Sequence, residues 1–247
     1  MRRLRVVGIG PGGPDQLTVE AVEALNDVDV FLVPDKGIAD LVALRSEVLT
    51  RHVRGRFRLL EVPDPPRERQ PDDYGAAVAD WHEARAVAFE QVIGAMTEEV
   101  GGFLVWGDPS LYDSTLRIVE RILSRGVVSF GYDVVPGVSA VSLLAARHRI
   151  VLHRVGEPVT ITTGRRLHEE VAARRDNLVV MLDGSLTCAE LDRDGWDIWW
   201  GANLGTPDEV LLAGRLSDVL ADIESARRQA RAARGWVMDT YLLRRSG

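Results

Sequence analysis

At 247 residues, 46% of them hydrophobic, the chain is long enough to bury a sizeable core as one large domain or two smaller ones. Its 30 lysines and arginines against 37 aspartates and glutamates give a formal charge of −7. That is the wrong sign for gathering nucleic acid or an anionic membrane by overall field, so an anionic partner must be held by local arginines.

The first residues, MRRLRVVGIG, are basic, but glycine breaks their apolar run too early for a signal peptide. No apolar stretch reaches the roughly 18 residues of a membrane span, so a soluble, cytoplasmic protein is expected. In chain order, strands are expected at residues 4–9, 28–33, 57–62, 102–106 and 127–135, with helices at 18–26, 38–53, 74–100 and 114–124 between them. The alternation is the signature of an α/β domain on a largely parallel sheet. In the third helix Trp81, Ala84, Ala88, Val92 and Ala95 fall on one stripe and read as its core face. Residues 63–73, PDPPRERQPDD, are too proline-rich and charged for either element and read as a surface connection.

After Arg147 the texture changes to strand-like runs, PVTITTG, NLVVMLDG, DIWWGANLG, EVLLAGRL and WVMDTYLL, with fewer and shorter helices. A second, more β-rich α/β domain over 156–247 is expected to follow a first over 1–148, with the boundary in residues 146–158, where apolar periodicity lapses. The basic run at 224–235, ESARRQARAARG, reads as the solvated face of a helix. The single cysteine, Cys188, excludes an internal disulfide and reads as a small buried residue.

Three glycine-bearing loops carry the chemistry. Gly8, Gly10 and Gly13 in VVGIGPGGPDQLT match the spacing of a dinucleotide-binding loop, but Pro11 and Pro14 bracket the glycines and the first good N-cap is Thr18. The loop is therefore detached from the helix whose N-terminus would have to face a pyrophosphate, which disfavours an NAD-dependent oxidoreductase. In FLVWGDPSLYDSTLR an apolar strand runs into Gly107, Asp108 and Pro109, and in VVPGVSA another runs into Pro136 and Gly137 ahead of a helix that Ser139 can cap. In a parallel sheet these three strand ends converge on one edge, where open α/β sheets bind ligands.

His52, His82, His148, His153 and His168 show no metal-ligand spacing, so no metal is expected, and the chain has neither a G-x-S-x-G elbow nor a Walker loop. Arg147, Arg149, Arg154, Arg165 and Arg166 cluster around the expected boundary, and arginine suits a bidentate grip on carboxylate or phosphate.

GIGPGGPDQLT, WGDPSLYDS and VVPGVSA, in that order, resemble the three loops of the tetrapyrrole methylase family. The resemblance implies two α/β domains with S-adenosylmethionine in the cleft between them, a tetrapyrrole substrate, a homodimer, and no nucleic-acid partner. It places Pro11, Trp106, Gly107, Asp108, Leu111, Ser139 and Ala140 around the cofactor. Met181 or Leu182 would be the apolar contact with the adenosyl group, and Ala213 and Gly214 the last contact. The longer matches, such as DVFLVPDKG, ITTGRRL and DIWWGANLGTPDEVLLAGRL, look like the subgroup that methylates carbon 1 of a corrin precursor and releases acetate; a sibling acting on another ring carbon is the alternative. Arg149, Arg154 and Arg165 are the candidates for substrate carboxylates, and Tyr112, Asp113 and His153 for acid/base work. One departure stands out: Gly13 occupies the position of an aspartate in the family's first loop, and Asp15 lies two residues on.

Overall fold

The computed structural model describes residues 2–35, 39–66 and 74–246, which divide into two compact units, Met1–Val138 and Ser139–Gly247. The first holds a five-stranded, wholly parallel sheet of β1 (Arg3–Gly8), β2 (Val30–Asp35), β3 (Arg58–Pro63), β4 (Val100–Val105) and β5 (Gly131–Val135) in the order β3-β2-β4-β1-β5. Its helices are α1 (Val19–Asn26), α2 (Ala39–His52), α3 (Tyr74–Ala95) and α4 (Thr115–Arg125).

Successive strand residues point to opposite faces, and in β1, β2 and β4 both faces are covered, which is why these strands read as continuous apolar runs, whereas the edge strands β3 and β5 are largely exposed. Leu4, Val6, Leu32, Phe103 and Val105 pack with Phe89 and Ile93 of α3 and Ile118 and Ile122 of α4. Val7, Ile9, Phe31 and Leu104 pack on the other face with Ala21 and Leu25 of α1 and Val48 and Leu49 of α2.

Local chemistry sets several boundaries. Thr18 caps α1, its Oγ1 accepting from Ala21 N at 3.0 Å, and Gly126, at φ 70°, ends α4 in the left-handed conformation. The third helix ends at Ala95, before the expected residue 100, because Val100 is recruited into the central strand beside Arg3. The fifth strand begins at Gly131 instead of residue 127: Gly131 already faces Arg3, the first residue of β1, so earlier residues have no strand to pair with. The stripe on α3 is borne out in part. Ala88 and Val92 pack against the core, whereas Ala84 and Ala95 are exposed and the fully buried apolar residues of the helix are Ala86, Phe89 and Ile93. Part of the connection at 63–73, residues 67–73, lies outside the described residues.

The second unit contains α5 (Ala140–His148), β6 (Thr160–Thr163), α6 (Leu167–Ala172), β7 (Asn177–Met181), β8 (Trp196–Ala202), β9 (Val210–Arg215), α7 (Leu216–Arg234) and β10 (Asp239–Arg245). Its sheet runs β6-β7-β10-β8-β9, parallel between β6 and β7 and antiparallel elsewhere. Trp196, Trp200, Tyr241 and Leu243 form its core with Leu216, Leu220 and Ile223 of α7. The division at Val138 puts α5 in this unit, where it packs on β8, β9 and β10, whereas residues up to 148 read as part of the first domain.

The basic run at 224–235 is not wholly a solvated face. Arg227 of α7 is buried, its Nε 2.9 Å from Asp239 Oδ2, and its Nη2 donates to the Asp183 carbonyl at 2.7 Å. Cys188 is buried as expected, and burial pushes its thiol up to about 12.

Candidate functional site

In the first unit the three glycine loops meet at the C-terminal ends of β1, β4 and β5. Gly107 N donates to Gly10 O at 2.8 Å and Gly10 N to Gly107 O at 3.3 Å, so the first two loops pair as a short antiparallel bridge. Gly137 lies under both. A Cβ on it would stand 2.1 Å from Gly107 O and 2.8 Å from Gly8 Cα, so only glycine lets the third loop close on the other two. Thr18 Oγ1 adds a long bond, 3.4 Å, to Pro136 O.

Asp108 locks this arrangement. Leu111 N donates to its carbonyl at 3.1 Å, closing a turn with Pro109 at the second position, while its side chain accepts from Ser110 N at 2.8 Å and from Gly137 N at 3.0 Å. Burial pushes the carboxyl up, but the bonds from the Ser110 hydroxyl, Gly137 N–H and Ser110 N–H outweigh it and hold it below its ordinary value. Gly107 stands at φ 66°, a left-handed conformation that favours glycine, and Pro11, next to Gly10 in the chain, is buried.

The remaining first-unit candidates share the same loop. Trp106 and Leu111 are half-buried; Tyr112 is exposed with φ 52°, and Asp113 accepts from Thr115 N at 2.6 Å at the start of α4. Gly13 N donates to Gln16 Oε1 at 2.6 Å, and the Asp15 carboxylate pairs with Arg51 at 2.5 Å.

The second unit holds the others. Ser139 caps α5, accepting from Ser142 N at 3.0 Å, and Ala140 follows it. Met181 ends β7, and Leu182 after it is 62% exposed at φ 53°, a left-handed conformation that costs a leucine energy. Asp183 holds this turn from beneath: it accepts from Tyr241 Oη at 2.5 Å, Thr187 N at 2.7 Å and Thr187 Oγ1 at 2.9 Å. Ala213 and Gly214 lie on β9, three strands from β7, or about 14 Å away, and Gly214 is level with Leu178 and not with Met181. The sheet does not bring these two contacts together.

The candidate arginines of this unit are all on its surface. Arg149 ends α5 at φ 56°, Arg154 donates to Arg245 O at 2.8 Å, and Arg165 lies in the short turn after β6. Arg147 pairs with Glu209 at 2.9 Å and Arg166 with Glu169 at 2.8 Å. His153 is exposed, its Nδ1 3.0 Å from Arg154 O.

Two buried arginines of the first unit escape a sequence reading. Arg45 of α2 and Arg85 of α3, 7% and 5% exposed, line a cavity with Trp106, Asp113 and Ser114. Arg85 lies 2.8 Å from Asp64 Oδ1, donates to Ser114 Oγ at 3.0 Å, and stacks over Trp81 and Phe89. A signal exists in hindsight: Trp81, Arg85 and Phe89 share i, i+4 spacing, so a cation interrupts an aromatic row.

A parallel sheet with three glycine loops locked at its edge, followed by a mixed sheet, defines a methylase of the tetrapyrrole type, and the chain belongs to the family Tetrapyrrole (Corrin/Porphyrin) Methylases, whose model matches residues 3–220. Among its relatives, the chain is 45% identical over 99% of its length, and 96% of the other's, to precorrin-6A synthase (deacetylating) of Sinorhizobium sp. A crystal structure of a cobalamin synthesis related protein (CobF) from Corynebacterium diphtheriae superposes with a TM-score of 0.86 at 39% identity, covering 99% of this chain and 98% of that one. Uroporphyrin-III C-methyltransferase from Thermus thermophilus shares the fold, with a TM-score of 0.59 at 20% identity, covering 98% and 91% of the two chains.

Proposed function

We propose that the chain is an S-adenosylmethionine-dependent C-methyltransferase of corrin biosynthesis, which methylates carbon 1 of precorrin-5 and releases acetate to give precorrin-6A. The observation that carries this reading is the 45% identity, over 99% of the chain, to precorrin-6A synthase (deacetylating). S-adenosylmethionine, when bound, supplies an activated methyl group, and the protein's task is to hold the carbon nucleophile in line with it.

The residues present fit such a ligand. Leu182 offers an exposed apolar side chain held in a costly backbone conformation, as expected of a residue kept for contact with a flat apolar group. The turn from Gly107 to Leu111 is held rigid by Asp108, so its outward groups are set before any ligand arrives. Pro11, Trp106, Ser139, Ala140, Met181, Ala213 and Gly214 belong to the same proposed contact set. Deacylation needs water to attack an acyl group, for which an acid/base group helps, and Tyr112, Asp113 and His153 are the candidates. Arg149, Arg154 and Arg165, all solvent-facing cations, suit a substrate that carries many carboxylates. Among the described residues no helix is long and apolar enough to cross a membrane. We place the enzyme in the cytoplasm, as a homodimer.

The test is turnover of precorrin-5 with methyl-labelled S-adenosylmethionine. One acetate released per methyl transferred is expected. Methylation without acetate assigns a sibling reaction at another ring carbon, and a folded, cofactor-binding preparation with no turnover overturns the substrate.

A further inference from the structure

The cavity beside Trp106 contains donors that lack an acceptor. Arg45 is 7% exposed, yet its Nε has no hydrogen-bond partner, and among the described residues no carboxylate lies within ion-pair distance of it. The buried Nε1 of Trp106 is likewise unpartnered. The two belong together: the Arg45 guanidinium stands 5.2 Å from the centre of the Trp106 ring, and both side chains line the same cavity.

A buried donor left without an acceptor is costly, and more so when it is charged, so two at one place call for a ligand that supplies acceptors. The other polar groups of the cavity are already engaged. Arg85 is compensated by Asp64, and Asp113 is held by Thr115 N. Burial pushes the Arg45 guanidinium down and Asp113 nearby pushes it back up, but an arginine keeps its charge at any ordinary pH. A small anion with two acceptor atoms satisfies both donors and the charge at once. The apolar remainder of the lining, Leu32, Phe89 and Phe103, suits a short hydrocarbon stem.

We propose that Arg45 and Trp106 form a subsite for a small carboxylate. The proposed function enters only in naming its source, which is either a carboxylate arm of the ring or the acetate that leaves it.

The probe is sodium acetate, with sodium chloride at equal ionic strength as control, titrated into the full chain while the indole N–H signal of Trp106 is followed by NMR. Trp106→Phe identifies that signal. A ligand this small binds at roughly 1 mM, so a saturable shift with acetate and none with chloride is expected. Arg45→Met, checked for native circular dichroism, weakens acetate at least about tenfold. Absence of a saturable shift in the wild-type chain up to about 100 mM acetate overturns the subsite whatever the variant does, as does unaltered binding in folded Arg45→Met. Turnover then separates the sources. A raised KM for the tetrapyrrole in Arg45→Met, with adenosylhomocysteine affinity unchanged, assigns the subsite to a ring carboxylate, and an unchanged KM assigns it to departing acetate. Acetate binding without any turnover keeps the subsite and removes only the proposed substrate.

Discussion

Asp108 and Gly137 stand 29 residues apart in the chain, yet Asp108 Oδ2 accepts a hydrogen bond from Gly137 N at 3.0 Å, tying the loop after β4 to the loop after β5. In Asp108→Asn an amide NH2 or a weaker neutral acceptor meets that N–H, and the loss expected is about 1–3 kcal/mol in urea unfolding. The pH dependence has a definite sign. The folded carboxyl sits below its ordinary 3.8, so the wild type has this stabilisation in full above about pH 4 and loses it as pH falls through the lower, folded value. Asp108→Asn has no such step, so its deficit should shrink on acidification; a deficit that stays constant from neutrality down to about pH 3 would contradict the role given to this carboxylate.

Gly137→Ala is expected to be among the most damaging single-methyl additions to the chain. The atoms in its way are backbone, Gly107 O at 2.1 Å and Gly8 Cα at 2.8 Å, and neither can rotate aside. Overpacking of this kind costs about 1–3 kcal/mol or more. Gly131→Ala, where a Cβ meets nothing within 4 Å, serves as the control and should change stability by less than about 1 kcal/mol in either direction. Equal effects in the two variants would mean that the loops do not close as described.

Much of this was legible in the sequence, and what was not has a common cause. Strands buried on both faces, such as β4, show as unbroken apolar runs, and Thr18 announces the start of α1 because a cap is a local interaction. The meeting of the three loops also follows from sequence, once the sheet is taken as parallel. The start of β5 depends on where β1 begins, about 130 residues away, and the home of α5 depends on which sheet it packs against. The burial of Arg45, Arg85 and Arg227 depends in the same way on distant partners, so a composition that makes arginine a surface residue misplaces all three.

Leu182 should show a trade between stability and binding. Replacing it with glycine removes the cost of a left-handed leucine and, at 62% exposure, removes little buried surface, so thermal stability should rise slightly or hold. Adenosylhomocysteine should stabilise the wild type by about 2.7 kcal/mol at a hundredfold excess over its Kd, and NADH should not. In Leu182→Gly, calorimetry should find adenosylhomocysteine weakened by roughly tenfold, the value of one lost apolar contact. Unchanged affinity would remove Leu182 from the site, and binding of NADH alone would overturn the cofactor.

The buried pair Arg227 and Asp239 makes the last prediction. The side chains are 8% and 4% exposed, Nε lies 2.9 Å from Oδ2, and Trp200 Nε1 donates to the same oxygen at 2.9 Å. Burial pushes the Asp239 carboxyl above its ordinary value, and the charge of Arg227 pulls it back only in part. Arg227→Met therefore leaves a buried carboxylate without its cation, at a cost of about 3–5 kcal/mol near neutral pH. A carboxyl whose folded pKa is raised favours the native state below its unfolded value of about 3.8, and that advantage is lost as pH rises through the folded value. Removing the cation raises the folded value further, so the deficit of Arg227→Met should grow as pH rises from the folded value of the wild type through the higher one of the variant. Adding Asp239→Asn to Arg227→Met removes the stranded charge while keeping an acceptor for Trp200. The double variant should be more stable than Arg227→Met alone at the higher pH and no longer pH-dependent in this window. If urea unfolding shows the deficit of the single variant to be flat with pH, and the second substitution only adds to it, the two side chains do not act as a coupled pair.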